Sequence, residues 1–365
     1  MTVECARVGG INLAQGVCDT PVPEAVRRAA QQAIEAGENV YSRSEGCDEL
    51  RAALAEKMRR HNGLDYSPDE VVVTNGATGS LYVAAMGLLD PGDEVVLFEP
   101  YYGYHLNTLE ALDLGAILVP TRPPDWELDF DELETALTPR TRGIVINTPS
   151  NPTGKVFSRA ELAALAELAE RRDLIVFTDE VYEHFVFDGL DHVSPASLPG
   201  LRERTVTMSA LSKTFAITGW RLGWIAADAR WTQTFAALND LVYVCAPTPL
   251  QQGCARALAL LDEDYYRGIG PEYQAKRDQL CRALERAGLT PFVPQGSYFA
   301  LADLSRLPGE TGMERAMHLL RVTGVACVPG EAFSERPEAH ALGRFCFGKT
   351  PADLDEACRS LAGLD

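Results

Sequence analysis

Along most of the chain, short unbroken apolar runs alternate with amphipathic stretches. "EVVVT" (70–74), "DEVVLFE" (93–99), "GAILVPT" (115–121), "GIVINT" (143–148), "LIVFTD" (174–179) and "TVTMSA" (205–210) each read as a strand, and polar or glycine-rich turns follow them. "NGATGSLYVAAMGLLD" reads as a loop that becomes a helix, and "DFDELETAL" reads as an acidic helix. Residues 158–173, "SRAELAALAELAERRD", carry apolar positions at helical spacing behind a Ser158–Glu161 capping box. Strands that are apolar throughout, rather than at every second residue, are buried on both faces. That pattern implies a mostly parallel sheet with helices on both sides.

After about residue 250 the rhythm changes. Residues 249–288 form one long helical stretch with expected breaks near Gly268 and Pro271. Short strands follow at 297–303, 324–330 and 344–348, with the helical "GMERAMHLLRVTG" among them. The expected architecture is an α/β domain over 38–250 and a smaller α+β domain built from 1–37 and 251–365.

Composition narrows the possible partners. The net charge of -19 disfavours nucleic acid and anionic membranes, which repel an acidic surface. Nine scattered cysteines without a C-x-x-C pair, and six histidines without ligand spacing, argue against a metal site and suit a reducing cytoplasm. The N-terminus has no signal-peptide pattern, and no stretch reaches membrane-spanning length. Lysine is scarce: Lys57, Lys155, Lys213, Lys276 and Lys349 stand against 33 lysines and arginines together. Lys213 sits in "SALSKTFAITGWRLGW" (209–224), among small and hydroxylated residues, just after a strand.

In parallel α/β sheets, ligands bind beyond the carboxyl ends of the strands. Those ends offer Gly76, Ala77 and Thr78 opening a helix, then Tyr102, Asn147, Asn151, Asp179 and Tyr182, and finally Ser209, Ser212, Lys213 and Arg221. Each has an ordinary reading by itself: Lys213 as a surface lysine, Asp179 as a helix N-cap, Asn151 as a turn residue, Tyr102 as core packing. Together they suit one ligand with a phosphate, an aromatic ring, a basic ring nitrogen, a phenolic oxygen and an aldehyde. The helix start and Arg221 take the phosphate, and Tyr102 stacks on the ring. Asp179 keeps the ring nitrogen protonated. Asn151 and Tyr182 face the phenolic oxygen, and Lys213 forms a Schiff base. That ligand is pyridoxal 5'-phosphate (PLP).

In order and spacing, "INLAQGVCDTPVPEAV", "NVYSRSEGCDELR", "NTPSNPTG", "TDEVY", "SKTFAITGWRLGW", "PQGSYFALAD" and "GRFCFG" resemble the class I/II aminotransferases of the aspartate aminotransferase superfamily (fold type I). "PQGSYFALAD" is most similar to the kynurenine and glutamine transaminase type. The resemblance implies transfer of an amino group between an α-amino acid and a 2-oxo acid. It implies the ring contacts of Asp179, Asn151 and Tyr182, the Schiff base of Lys213 and the phosphate contact of Arg221. It adds Arg344 as the grip on the substrate α-carboxylate and Gly16 as pocket lining. It also adds Tyr41 as a phosphate contact reaching into the partner subunit of a homodimer with shared active sites. The chain departs from the pattern at Ala210, where a phosphate-binding serine is common, and at Cys18 beside the pocket. The arm before "INLAQG" is also short. Thr78 offers no charge to an acidic substrate, so a neutral or aromatic side chain is expected. A β-lyase, or another elimination, cyclisation or oxidation enzyme on the same scaffold, is the alternative. A regulator with a DNA-binding segment fits this acidic chain poorly.

Overall fold

The computed structural model describes residues 1–364; Asp365, the last residue of the expected small domain, lies outside the described residues. The first half of the chain forms α1 (Thr2–Arg7), β1 (Ile11–Asn12), α2 (Glu24–Glu35), α3 (Asp48–His61), β2 (Val71–Thr74), α4 (Gly76–Leu88), β3 (Glu94–Glu99), α5 (Gly103–Ala111), β4 (Gly115–Arg122), β5 (Glu127–Leu128), α6 (Phe130–Ala136), β6 (Thr141–Asn147), α7 (Arg159–Arg171) and β7 (Ile175–Asp179). The second half forms β8 (Thr205–Ala210), α8 (Leu211–Thr214), β9 (Gly223–Ala226), α9 (Ala229–Tyr243), α10 (Thr248–Leu260), α11 (Glu263–Arg286), β10 (Thr290–Phe292), β11 (Phe299–Asp303), α12 (Gly312–Thr323), β12 (Val325–Ala326), β13 (Val328–Pro329), β14 (Leu342–Cys346) and α13 (Pro351–Leu361).

Eight strands make the main sheet in the order β2-β9-β8-β7-β6-β3-β4-β5. The pairs β4–β3–β6–β7–β8 are parallel, whereas β9 runs against both its neighbours and β5 runs against β4. The sheet is therefore mostly parallel, as the unbroken apolar runs require. Side chains alternate between its faces. Val95, Leu97, Val145, Phe177, Val206, Met208 and Ile225 pack with α4, α5 and α9 on the front face. Val71, Val73, Trp224 and Ala226 pack with α2, α3 and α10 on the back. Val96, Ile144, Ile146 and Val176 pack there with α6 and α7. The Ser158–Glu161 capping box starts α7 as expected.

A four-stranded antiparallel sheet, β10-β11-β14-β13, carries α11, α12 and α13 around a second core. β1 pairs with β12, which ties the N-terminal segment to this part of the chain. Three details differ from the sequence expectation. The long helical stretch breaks at Leu261–Asp262, where the Asp262 side chain caps α11, and α11 continues through Gly268 and Pro271. Burial of Tyr266, Ile269 and Tyr273 on that helix outweighs the hydrogen bond that Pro271 removes. The single strand expected at 324–330 is two strands in different sheets, with Cys327 buried between them. Finally, α2 and all but the first three residues of α10 lie outside 38–250, yet Val26 and Cys254 share a core with Trp224 of the main sheet.

Candidate active site

A cavity of about 430 Å³ opens at the carboxyl ends of β6, β7 and β8. Ala77, Thr78, Tyr102, Asn147, Asn151, Asp179, Tyr182, Ser212, Lys213 and Arg221 all line it, although they come from five separate segments of the chain. The parallel strands explain the convergence: each ends at the same edge, and the turn after it faces the same space.

One corner is built to receive an anion. α4 begins at Gly76 without a side-chain cap, so its first-turn amides have no such acceptor. Arg221 adopts a left-handed conformation (φ 57°) and lays its guanidinium beside that turn, donating to the Thr218 and Asn75 carbonyls at 3.0 and 3.3 Å. A Cβ on Gly76 would fall 2.3 Å from Arg221 Nη2, and one on Gly223 would fall 2.5 Å from the Gly76 carbonyl carbon. Only glycine at both positions lets helix, strand and guanidinium meet.

At the opposite end, Asp179 Oδ2 is 3.0 Å from His105 Nε2, and both side chains are buried. Asn147 donates to the Asp179 carbonyl at 3.0 Å and accepts from the Asn151 amide at 2.7 Å, which fixes both asparagines relative to the β7 end. The Lys213 ammonium lies 5.5 Å from the Tyr298 ring and 5.9 Å from the Tyr182 ring. Burial lowers its pKa from the ordinary lysine value and favours the neutral, nucleophilic amine. Burial raises the phenols of Tyr102 and Tyr182 well above their ordinary value, so both remain hydrogen-bond donors.

Arg344 adjoins the cavity from β14. It donates to Asn151 Oδ1 at 2.8 Å and to the Ala14 carbonyl at 2.9 Å, between the rings of Phe299 and Phe333. Its Nε is buried without a partner, and burial lowers its pKa. Gly16 lies against Phe299 and Arg344, where a Cβ would meet the Phe299 ring at 2.7 Å.

One residue expected at the site, Ser209, is elsewhere, and Tyr41, expected to serve the partner subunit, stays clear of its own cavity. Ser209 is turned to the back of the sheet, because strand alternation sends Met208 and Ala210 to the front; its hydroxyl meets the Glu180 carbonyl and Glu183 Oε1 at 3.3 and 3.2 Å. Tyr41 is 79% exposed and does not reach the cavity of its own chain. The Cys18 thiol lies 3.8 Å from the Lys213 carbonyl and 3.2 Å from the Tyr273 hydroxyl, and burial pushes it up to about 11. His105 is the residue that the sequence reading missed. Its signal was its position three residues after Tyr102, on the same side of the α5 start, and not any metal-ligand spacing.

The model of the family described as aminotransferase class I and II matches residues 8–361. The chain belongs to the class I and II aminotransferases. The probable N-succinyldiaminopimelate aminotransferase DapC of Mycobacterium tuberculosis is 39% identical over 100% of this chain and 94% of its own length. Human kynurenine–oxoglutarate transaminase 3 is 34% identical over 95% of this chain and 83% of its own. Among solved structures, the N-succinyldiaminopimelate aminotransferase from M. tuberculosis superposes with a TM-score of 0.96 at 38% identity, covering 100% of this chain and 96% of that one. The methionine aminotransferase YbdL from Escherichia coli does so with a TM-score of 0.95 at 32% identity, over 99% and 94%. This aminotransferase is thus a PLP-dependent enzyme that moves amino groups between amino acids and 2-oxo acids. No helix among the described residues is long and apolar enough to cross a membrane.

Proposed function

We propose that this aminotransferase holds PLP on Lys213 and prefers amino donors with neutral or aromatic side chains. One observation carries the reading: a lysine amine with a burial-lowered pKa shares a cavity with a buried carboxylate, paired asparagines and an arginine-backed helix start. The residues fit the cofactor group by group. The α4 amides, Ser212 and Arg221 suit the phosphate, Tyr102 the ring face, Asp179 the ring nitrogen, and Asn151 with Tyr182 the phenolic oxygen. When bound, PLP supplies the electron-poor ring that accepts the electron pair left on the donor's Cα.

The chain's own residues do the rest. Arg344 binds the donor's α-carboxylate, with its free Nε and its planar fork as donors. Asn151 holds that fork in place through its 2.8 Å bond. Lys213 Nζ takes the Cα proton as a neutral amine and returns it as an ammonium. His105 fixes the Asp179 carboxylate in one orientation, so the charge that keeps the ring nitrogen protonated does not wander. Among the described residues, the lysine and arginine lining the cavity are Lys213 and Arg221, both already committed, and Tyr104, Leu81 and Val181 add aromatic and apolar surface. Among the described residues, no uncommitted lysine or arginine lines the cavity to pair with a side-chain carboxylate.

Tyr41 (79% exposed) and Val40 (78%), with Leu241 (76%) and Val244 (44%), leave large apolar groups on the surface. We take these as part of a homodimer interface in which Tyr41 reaches the phosphate corner of the partner, and sedimentation at micromolar concentration reads that state directly. With α2 and α10 packed on the main sheet, the smaller unit, which we take to close over the substrate, is the N-terminal segment before α2 together with α11 onward. Nine unpaired cysteines support a cytoplasmic setting.

The test is a half-reaction without oxo acid, run over a panel of single amino acids and followed by the cofactor's absorption spectrum with ammonia assayed in parallel. The panel includes N-succinyldiaminopimelate, because the M. tuberculosis relative is named for it. Conversion to the amine form of the cofactor by methionine, phenylalanine or kynurenine, without ammonia, is the expected outcome. A clear preference for the succinylated substrate or for aspartate would overturn the side-chain reading.

A further inference from the structure

β7 and β8 send side chains to both faces of the sheet, and only the front ones reach the cavity. Behind them lies Glu183, one residue after Tyr182, with its side chain 3% exposed. Its carboxylate accepts from Lys57 of α3, from Asn62 Nδ2 at the end of α3 at 2.6 Å, and from Ser209 Oγ of β8 at 3.2 Å. Lys57 is itself buried (6%), with its ammonium 5.5 Å from the Trp224 ring. His184, His192 and His61 also act on it by charge when protonated. Burial would raise the Glu183 carboxyl, but Lys57, His184 and His192 outweigh burial and hold it far below the usual carboxylate range.

A buried ion pair is a poor way to add stability, since an apolar pair of the same volume does as well or better. What it provides is direction. Lys57, Asn62 and Ser209 meet one carboxylate from a helix and a strand that are distant in sequence. We propose that Glu183 is a positioning residue: by bonding Ser209 while held by Lys57 and Asn62, it sets the spacing between the β7 end that carries Asp179 and Tyr182 and the β8 end that delivers Lys213. It lines no part of the cavity. The inference rests on the reading of that cavity as the PLP site.

The test uses the full chain loaded with PLP and three variants: Ser209→Ala, Glu183→Gln and the double variant Lys57→Met with Glu183→Gln. Four quantities are read: the pH midpoint of the lysine-bound cofactor's absorption band, kcat, KM for the amino donor, and the thermal midpoint. Ser209→Ala breaks the link from Glu183 to β8, together with the hydroxyl's 3.3 Å contact to the Glu180 carbonyl, and leaves Lys57 and Asn62 on Glu183. It should move the melting point by no more than about 2 °C, shift the band's pH midpoint by about half a unit or more, and lower kcat about tenfold with KM unchanged. Glu183→Gln should add a loss of stability, because it strands the Lys57 charge. The double variant should recover the melting point but neither the band nor kcat. Wild-type titration and kcat in both Ser209→Ala and the double variant would overturn the proposal and leave Glu183 a fold-stabilising group. Ser209→Ala keeps the test decisive should Glu183→Gln fail to fold. A band in the parent protein that survives Lys213→Ala would instead overturn the cofactor reading beneath it.

Discussion

Two sets of polar side chains leave the same strand ends in opposite directions. At the front, Asp179, Tyr182, Lys213 and Arg221 border a cavity and leave bonding capacity unused. At the back, Glu180 is bonded by Thr178 at 2.8 Å, Ser194 at 2.9 Å and His192 at 2.7 Å, and Glu183 by Lys57, Asn62 and Ser209. Both sets are rich in charge; at the front Asp179 and Tyr182 are buried, Lys213 is half-buried and Arg221 is exposed. The difference lies in the charges: the Glu180 and Glu183 carboxylates are met within the chain, although His184 Nε2 and His192 Nδ1 beside them lack partners, whereas the front set faces a cavity. Among the described residues the Lys213 amine has no hydrogen-bond or ion-pair partner, and holding it there costs stability for the sake of chemistry.

Variants at the front should therefore cost activity without cost to stability. Lys213→Ala is the largest case: turnover should fall by at least about 10³-fold, PLP should still bind but without the lysine-bound absorption band, and the melting point should hold or rise. Retained turnover would break the comparison at its centre. Arg344→Ala should raise KM for amino donors about 10- to 100-fold, the loss of about 1.5–3 kcal/mol of charged hydrogen bonding, with cofactor affinity unchanged in an equilibrium titration. Loss of cofactor instead would move Arg344 out of the substrate-binding role.

At neutral pH the smallest effect belongs to the back. Burial lowers the pKa of His184 to about 3, against about 6.5 in an unfolded chain. Between those values the unfolded state holds a proton that the folded state refuses, so acidification favours unfolding there. The stability tied to neutral His184 is complete above pH 6.5 and is lost as pH falls toward 3. His184→Phe keeps a ring beside His61 and Tyr266 and should flatten this acid limb in urea melts between pH 6.5 and 4. An unchanged limb would assign it to other groups.

Much of this comparison was legible in the residues, but not its geometry. The apolar runs announced a parallel sheet because burial on both faces leaves no alternation to read. The strand-end residues announced a PLP site because their chemistry is jointly restrictive. Ser209 was misplaced for want of register: one residue decides which face a side chain takes, and the motif carries no mark of it. His105 was missed because its value lies in a contact with Asp179 across 74 positions. The break before α11 was misjudged because glycine and proline were weighed locally, while three buried aromatic or branched side chains kept the helix continuous through them.

The two glycines behind Arg221 have a consequence for how such an enzyme can change. Around a cavity, new specificity is usually reached by exchanging one side chain for another. Gly76 and Gly223 offer no such route: every alternative places an atom inside the guanidinium or inside the facing main chain. The anion corner is inherited as shape rather than as chemistry. A lineage descended from this chain is free to rewrite the walls around the substrate, while its point of attachment stays where it is.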